Sequence, residues 1–369
     1  PDEAVRALPF GEWSFSFSDE RSDTADWFGY EGVVRRAPSS LLSLHVRHGA
    51  DPQTQCIATA AFNTKFSAAR NAGFIKERAV TLLLRELSRV ADTGELGAIA
   101  AVPETGPPPT PPSSADLLRY AGALSGQLLY RAGKALHRKV GGGSAAWTLC
   151  TGQGDIEDFD PRQSVEIAPD RDEIRADPFM LQHDGHCYLF YEAYANGDAK
   201  AHIAVARMDG NRLERLGVAL ERDYHLSYPF VFRHGDDLFM MPETNQARRL
   251  EIWRCVEFPL KWELHSTALH GLSSADSILT HHRDRWWLFT NLSDFHAYED
   301  HCSELHVFEV DGPNLSWVVP HKRNPVVLGS TTARNAGRMF ERGGRLYRPS
   351  QRNEYGIYGY GLNIMLVEQ

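Results

Sequence analysis

The sequence predicts a mainly β fold: a five-bladed β-propeller with a smaller N-terminal α/β domain. Three observations carry this. A hairpin-like unit recurs four times in the last two thirds of the chain, beginning at Asp177, Tyr228, Asp276 and Ala336. The copies stand roughly fifty residues apart, close to the repeat length of propeller blades. Between them, short aromatic and β-branched runs alternate with Gly, Asp, Asn and Pro, the pattern of consecutive strands and turns.

The chain has 369 residues, enough for about two domains. It is 42% hydrophobic and 24% charged, ordinary for a globular protein, and its formal charge of −9 disfavours nucleic acid or an anionic membrane as main partner. No apolar run is long enough for a membrane-spanning helix. The residues after Pro1 do not read as a signal peptide, and a chain opening on Pro rather than Met points to sequence lost upstream. The five cysteines, Cys56, Cys150, Cys187, Cys255 and Cys302, are odd in number and widely spaced. That suits buried thiols in a reducing compartment, hence the cytoplasm, better than a disulfide framework or a metal site.

Residues 1–100 are not repetitive and read as the α/β domain. Ser39 to Val46 is an apolar strand, and Asn71 to Ala91 places Ile75, Ala79, Leu82, Leu83 and Leu87 at helical spacing. Residues 101–145 form a connector: a proline-rich linker at 103–114, then a basic amphipathic helix from Ala115 to Val140, ended by three glycines. Such a helix packs on a neighbour or lies on a membrane surface through Arg131, Lys134, Arg138 and Lys139. The propeller is expected over residues 146–369. A fifth blade is expected from Ala146–Asp170 together with Tyr355–Glu368, which would close the ring.

Each repeat has an apolar arm, a polar centre and an aromatic arm. The centres, such as His183-Asp184-Gly185 and Arg342-Gly343-Gly344, hold residues that tolerate the positive φ of tight hairpin turns. With the turn at the middle, the first residue lies across from the sixteenth, at one mouth of the central channel. Asp177, Tyr228, Asp276 and Ala336 would ring that mouth, with Glu192, Glu243, Asn291 and Gln351 behind them. His183, His234, His281 and His282 fall at the opposite, solvent-exposed end, and no metal role is assigned to them. In the fourth repeat, Arg338 replaces an apolar residue and needs oxygen partners, so Asn335, Arg338 and Arg348 would face the carboxylates as donors.

Carboxylates on an aromatic-rimmed concavity suit a carbohydrate or other sugar-containing small molecule. Trp286, Trp287, Tyr191, Tyr194 and Tyr228 offer stacking faces, and Asp177 with Glu243 or Asp276 could form the carboxyl pair that glycoside hydrolysis needs. An enzyme acting on glycosidic bonds, a non-catalytic glycan or sugar-nucleotide module, and a protein-docking scaffold all remain open; the carboxylate mouth argues against the last. No cofactor is called for, and a partner enzyme or an oligomer is compatible with each reading.

The segment DPFMLQHDGHCYLFYE resembles the first blade of the five-bladed propeller glycosidases of the arabinanase, xylosidase and invertase group. That resemblance implies Asp177 as base or nucleophile and Asp276 as stabiliser; it offers Glu243 as acid, although MMPETN is not that group's motif. A second likeness covers about residues 146–369. SYPFVF, MMPET, RWWLFTN, HKRNPVV, AGRMFERGGRLYRPSQ and YGYGLNI resemble the propeller domain of the glucosamine inositolphosphorylceramide transferase amino-terminal family. In that family the propeller is joined to a glycosyltransferase domain in plants and to a formyltransferase-like domain in bacteria. WSFSFSDE, FGYEGV and the helix after Ala69-Arg70-Asn71 resemble the second half of such a formyltransferase-like domain. Ser16, Phe17 and Ser18 stand where that family carries histidines, which implies a scaffold rather than formyl transfer.

Overall fold

The structure, a computed structural model, describes residues 8–17, 29–48, 54–97, 112–139, 147–156, 160–168, 173–195, 200–293 and 300–368. The prolines at 103–111, the three glycines and Ser18 lie outside them.

The amino-terminal unit is a meander of β1 (Glu12–Phe17), β2 (Ser39–Arg47) and β3 (Thr54–Asn63), with a short helix α1 (Tyr30–Val34) and a long helix α2 (Ala68–Thr93). Alternating side chains of β2 and β3 bury Leu42, Leu44, Ala58, Ala60 and Phe62 against Phe74, Ile75 and Leu82 of α2. The Ser67 hydroxyl accepts from Arg70 N–H and caps the start of α2; Gly94, in the left-handed region, ends it. Helix α3 (Ser114–Lys139) follows. It touches the unit through Tyr120, whose hydroxyl accepts from Ala68 N–H, and through Arg131 over the Phe66 ring.

The rest is β structure. Strands β4 (Cys150–Thr151) and β5 (Val165–Glu166) pair as a small sheet. Three antiparallel blades follow. The first is β6 (Glu173–His183), β7 (His186–Ala195), β8 (His202–Asp209) and β9 (Arg212–Leu220). The second is β10 (Ser227–His234), β11 (Asp237–Glu243), β12 (Leu250–Glu257) and β13 (Lys261–Ala268). The third is β14 (Ser274–His282), β15 (Arg285–Leu292), β16 (Glu304–Val310) and β17 (Val318–Pro320), with β18 (Val327–Leu328) also on β16. A final sheet joins β19 (Phe340–Arg342), β20 (Arg345–Glu354) and β21 (Ile357–Val367).

All four repeats are therefore hairpins that open a sheet. Each turn has two residues: Asp184-Gly185, Gly235-Asp236, Arg283-Asp284 and Gly343-Gly344. The first strands stand side by side, and Phe179 meets Tyr228 and Phe230 edge to face across them. The main core lies here, between sheets, as sheet-on-sheet packing requires.

Two expectations change. Tyr355–Glu368 does not share a blade with the segment before β6: β21 pairs with β20 along its length, and among the described residues β4 and β5 pair only with each other. The small sheet instead packs through Leu149 and Ile167 on Leu189, Tyr191 and Ala204 of the first blade, and Trp147 meets Tyr358 edge to face. Two of the four turn-end histidines are also less exposed than expected, while His234 and His281 are exposed as expected. His183 lies against the Phe258 ring, and His282 is buried beside Glu341.

The amino-terminal unit is fastened to the last two sheets. Ser330 N–H donates to Ala61 O, Tyr355 N–H to Pro38 O, and Gly356 N–H to Asn63 Oδ1. Fully buried Arg78 pairs with Glu304 of β16. Gly329 permits the approach: a Cβ there would lie 3.0 Å from Ala61 O, and its φ is +136°.

Candidate functional site

The mouth is built by a repeated backbone irregularity. In the first three blades the residue before the repeat, not its first residue, pairs with the sixteenth: Ala176 with Glu192, Ser227 with Glu243, Ala275 with Asn291. The next two residues bulge before the register resumes at Phe179, Phe230 and Ile278. The bulge puts Asp177, Tyr228 and Asp276 in the left-handed region, with φ of 49°, 46° and 47°. Non-glycine residues are uncommon there, and bulges of this kind re-aim a side chain. The same irregularity at one position in three blades brings these three side chains into one electrostatic cluster.

The bulges also link one blade to the next. Tyr228 N–H donates to the Asp177 carboxylate, and Asp276 N–H donates to Glu243 Oε2 at 3.3 Å. Asp177 is partly exposed. Burial, then the charges of Asp276 and Glu192, push its carboxyl up to about 7. Glu243 is buried, and desolvation, then the Asp276 charge and a hydrogen bond to that side chain, raise it well above the usual carboxylate range. Burial, Asp276 and Asp177 likewise keep the Tyr228 phenol protonated. Its hydroxyl is buried beside the Gly337 backbone.

One residue of this cluster escaped the sequence reading. Arg334 offers its guanidinium to Asp276, with Nε 2.5 Å from Oδ2 and Nη2 3.1 Å from Oδ1, and reaches Glu243 Oε2 at 3.6 Å. Burial opposes its charge, but Asp276 foremost holds the guanidinium protonated, above its ordinary range. The fourth unit starts earlier than its sequence alignment suggests: Gln351 N–H donates to Arg334 O, and Asn335 bridges Ser350. Arg334, not Ala336, thus stands opposite the sixteenth position. Tyr358, from the YGYGLNI motif, places its ring 5.2 Å from the Arg334 guanidinium and gives the mouth an aromatic face.

The other expected residues divide into two groups. Asn291, Asn335 and Arg348 lie beneath the mouth, buried, with their polar groups engaged inside the protein. Asn291 Nδ2 donates to Glu304 O and Ala333 O, while its Oδ1 accepts from Asn335 N–H. Asn335 Nδ2 donates to Asp276 O, and its Oδ1 accepts from Arg348, which also binds Ala333 O and Thr332 O. Burial lowers the Arg348 guanidinium to about 10. These three position the Arg334 loop and the Asp276 backbone. Glu192 pairs with His225 Nε2 at 3.3 Å; His225 Nδ1 accepts from Ala201 N–H, so Nε2 carries the proton toward the carboxylate.

Arg338, Gln351 and the aromatic residues depart further from expectation. Arg338 does not face the carboxylates: it donates to Val231 O and lies over the Phe230 ring. Gln351 sits at the rim, its Oε1 buried and unpartnered. Trp287 pairs with Thr280 in the body of the third blade and packs on the core, about 13 Å along β15 from Asn291. Trp286 lies at the far turn beside His234 and His281. Tyr191 is buried and donates to Glu173, and Tyr194 faces Ile174 farther along β7. Alternation and register, not aromatic content, decide which rings reach the mouth.

The fold and site define a blade-built β protein with a carboxylate–guanidinium mouth. Residues 163–369 match the family described as glucosamine inositolphosphorylceramide transferase 1, N-terminal, and the chain belongs to that family. It is 36% identical over 198 residues to glucosamine inositolphosphorylceramide transferase 1 of Oryza sativa subsp. japonica, covering 53% of this chain and 26% of that protein. The protein of the same name from Arabidopsis thaliana is 36% identical over 181 residues, 48% of this chain and 23% of the relative. The chain thus spans about a quarter of the length of these curated relatives. Among solved structures, an exo-β-1,3-galactanase of Phanerochaete chrysosporium with β-1,3-galactotriose aligns over 62% of this chain and 55% of that one, at 11% identity and a TM-score of 0.46. An α-L-arabinanase of Cellvibrio cellulosa complexed with arabinohexaose aligns over 58% and 76%, at 15% identity and a TM-score of 0.37.

Proposed function

We propose that the mouth binds a carbohydrate and acts at its glycosidic bond. The observation that carries this reading is the convergence of Asp177, Glu243 and Asp276 around Arg334 with unequal environments. Two carboxyl groups, Asp177 and Glu243, hold protons far above the usual range, while Asp276 is ion-paired. Carboxyl groups driven apart in this way supply an acid and an anion from the same residue type. Asp177, the partly exposed one, would protonate the leaving oxygen near neutral pH while water or an acceptor hydroxyl attacks the anomeric carbon. The Asp276 carboxylate, held by Arg334, would offset positive charge developing on the sugar ring. The Tyr358 face would stack on the ring.

A binding-only module is the second reading, and Arg334 favours it. Its guanidinium lies between Glu243 and Asp276, within 3.6 Å of both, and so occupies space a scissile bond would need between that pair. The rice and Arabidopsis relatives are named as transferases. In this proposal the portion shared with them handles sugar, while the amino-terminal unit braces the sheets.

The test is a panel of furanosides, pyranosides and nucleotide sugars, assayed for turnover and separately for binding. The catalytic reading expects turnover that Asp177→Asn abolishes while binding persists. Binding without turnover by the unaltered chain selects the module reading. No binding to any member, with the protein folded, rejects both.

A further inference from the structure

A second concavity lies between α3, the end of β3, the start of α2 and the last sheet. Two adjoining cavities of about 380 and 790 Å³ share Thr64, Lys65, Phe66, Arg131 and Gly356 in their walls. Spaces of this size suit small-molecule ligands. Their walls are cationic. Lys65, Arg70 and Arg131 line the smaller cavity, and Arg36 and Lys134 join Lys65 and Arg131 in the larger. Among the described residues that line the two cavities Asp300 is the one acid, and it already accepts from Cys302 N–H, the Ser303 hydroxyl and Lys65. Five cationic residues thus gather on a chain whose formal charge is −9.

The orientation of α3 adds an independent observation. Gln127, Arg131 and Lys134 share one face of the helix and line the larger cavity. Leu118, Leu129 and Leu136 are turned to solvent, exposed by 74%, 74% and 64%. Hydrophobic burial alone would set the helix the other way round. Arg131 is held over the Phe66 ring at 4.3 Å and lines both cavities. The capped start of α2 opens beside Phe66 and Arg70 and adds the partial positive charge of a helix N-terminus.

We propose that this cleft binds the phosphate group of a phosphate ester, with Arg131 and Lys134 as its principal ligands and Lys65 and Arg36 setting the field. Arginine forks match phosphate oxygens in pairs, and lysine adds a point charge. A free diphosphate, as in a nucleotide sugar, and a phospholipid headgroup share this chemistry. Tyr358 and Cys302 wall the smaller cavity and also neighbour Arg334, so the cleft and the mouth adjoin.

The test uses the full chain with two probes: inorganic pyrophosphate, measured calorimetrically, and phosphatidylcholine vesicles carrying a minor fraction of phosphatidylinositol, measured by co-sedimentation. Arg131→Gln with Lys134→Gln retains helix propensity on exposed positions, so the fold is expected to survive, as circular dichroism will show. Pyrophosphate affinity should fall about tenfold or more in this double variant and should weaken with added salt. Binding of the vesicles that depends on the same two residues identifies the headgroup as the source; pyrophosphate binding without vesicle binding identifies a soluble phosphate ester. Asp177→Asn should leave phosphate binding unchanged, which separates this site from the mouth. No pyrophosphate binding by the unaltered chain, or equal affinity in the folded double variant, overturns the proposal.

Discussion

Arg334 and Asp276 form a two-pronged ion pair, Nε to Oδ2 at 2.5 Å and Nη2 to Oδ1 at 3.1 Å, on side chains 12% and 5% exposed. With Glu243 at 3.6 Å, the guanidinium is the counter-charge that lets carboxyl groups crowd the mouth. Arg334→Ala should therefore destabilise the protein by about 3 kcal/mol in denaturant unfolding, because a buried carboxylate loses its partner. Arg334→Lys should recover only part, since an ammonium cannot match both oxygens. A loss below about 0.5 kcal/mol for Arg334→Ala would refute the assignment.

Asp177 gives stability a pH signature. Its carboxyl titrates at about 7 in the folded chain against an ordinary value of 3.8. The folded state therefore binds the proton more tightly than the unfolded one. The associated stability is complete below about pH 4 and is lost as pH rises through about 7. Asp177→Asn, which cannot ionise, should flatten this fall; relative to the parent, it should gain on the order of 4 kcal/mol between pH 4 and 8. Parallel stability–pH curves for the two proteins would contradict the picture.

The Arg78–Glu304 pair joins α2 to β16, with the guanidinium fully buried. Truncating either partner alone should cost about 3–5 kcal/mol, whereas Arg78→Met with Glu304→Met should cost much less. Limited proteolysis should then cut the single variants near the α2–β16 contact faster than the double variant.

Asn335→Ala tests positioning. The side chain donates to Asp276 O and Phe289 O and accepts from Arg348. Its removal should cost about 2 kcal/mol, because buried partners are left unsatisfied. Any ligand affinity at the mouth should fall as well, although Asn335 has no polar group free to touch a ligand.

Much of this was legible in the sequence. The four turns and both long helices lie within a few residues of where composition and periodicity put them, because turn chemistry and hydrophobic spacing are local properties. The mouth was legible only to within a register step. A left-handed Asp177 or Asp276 has no composition that betrays it, since aspartate is tolerated there without being required. Arg334 was hidden for a related reason. The fourth unit's loop is longer, so matching AGRMFERGGRLYRPSQ to the other copies drew the start one residue too late. Trp287 misled in the opposite direction: its ring is suited to sugar stacking, but the ladder carries it into the third blade.

The fastening of the amino-terminal unit has a mechanical meaning. Among the described residues, its last strand is tied at Ala61 to the connection leaving the third blade and at Asn63 to the turn before β21, with Pro38 gripping that same turn. Tension applied at the start of the chain would therefore not peel the blades in order from the first. It would be delivered to the far side of the array, in shear across β3, so the amino-terminal unit serves as a tether for the sheets latest in the sequence.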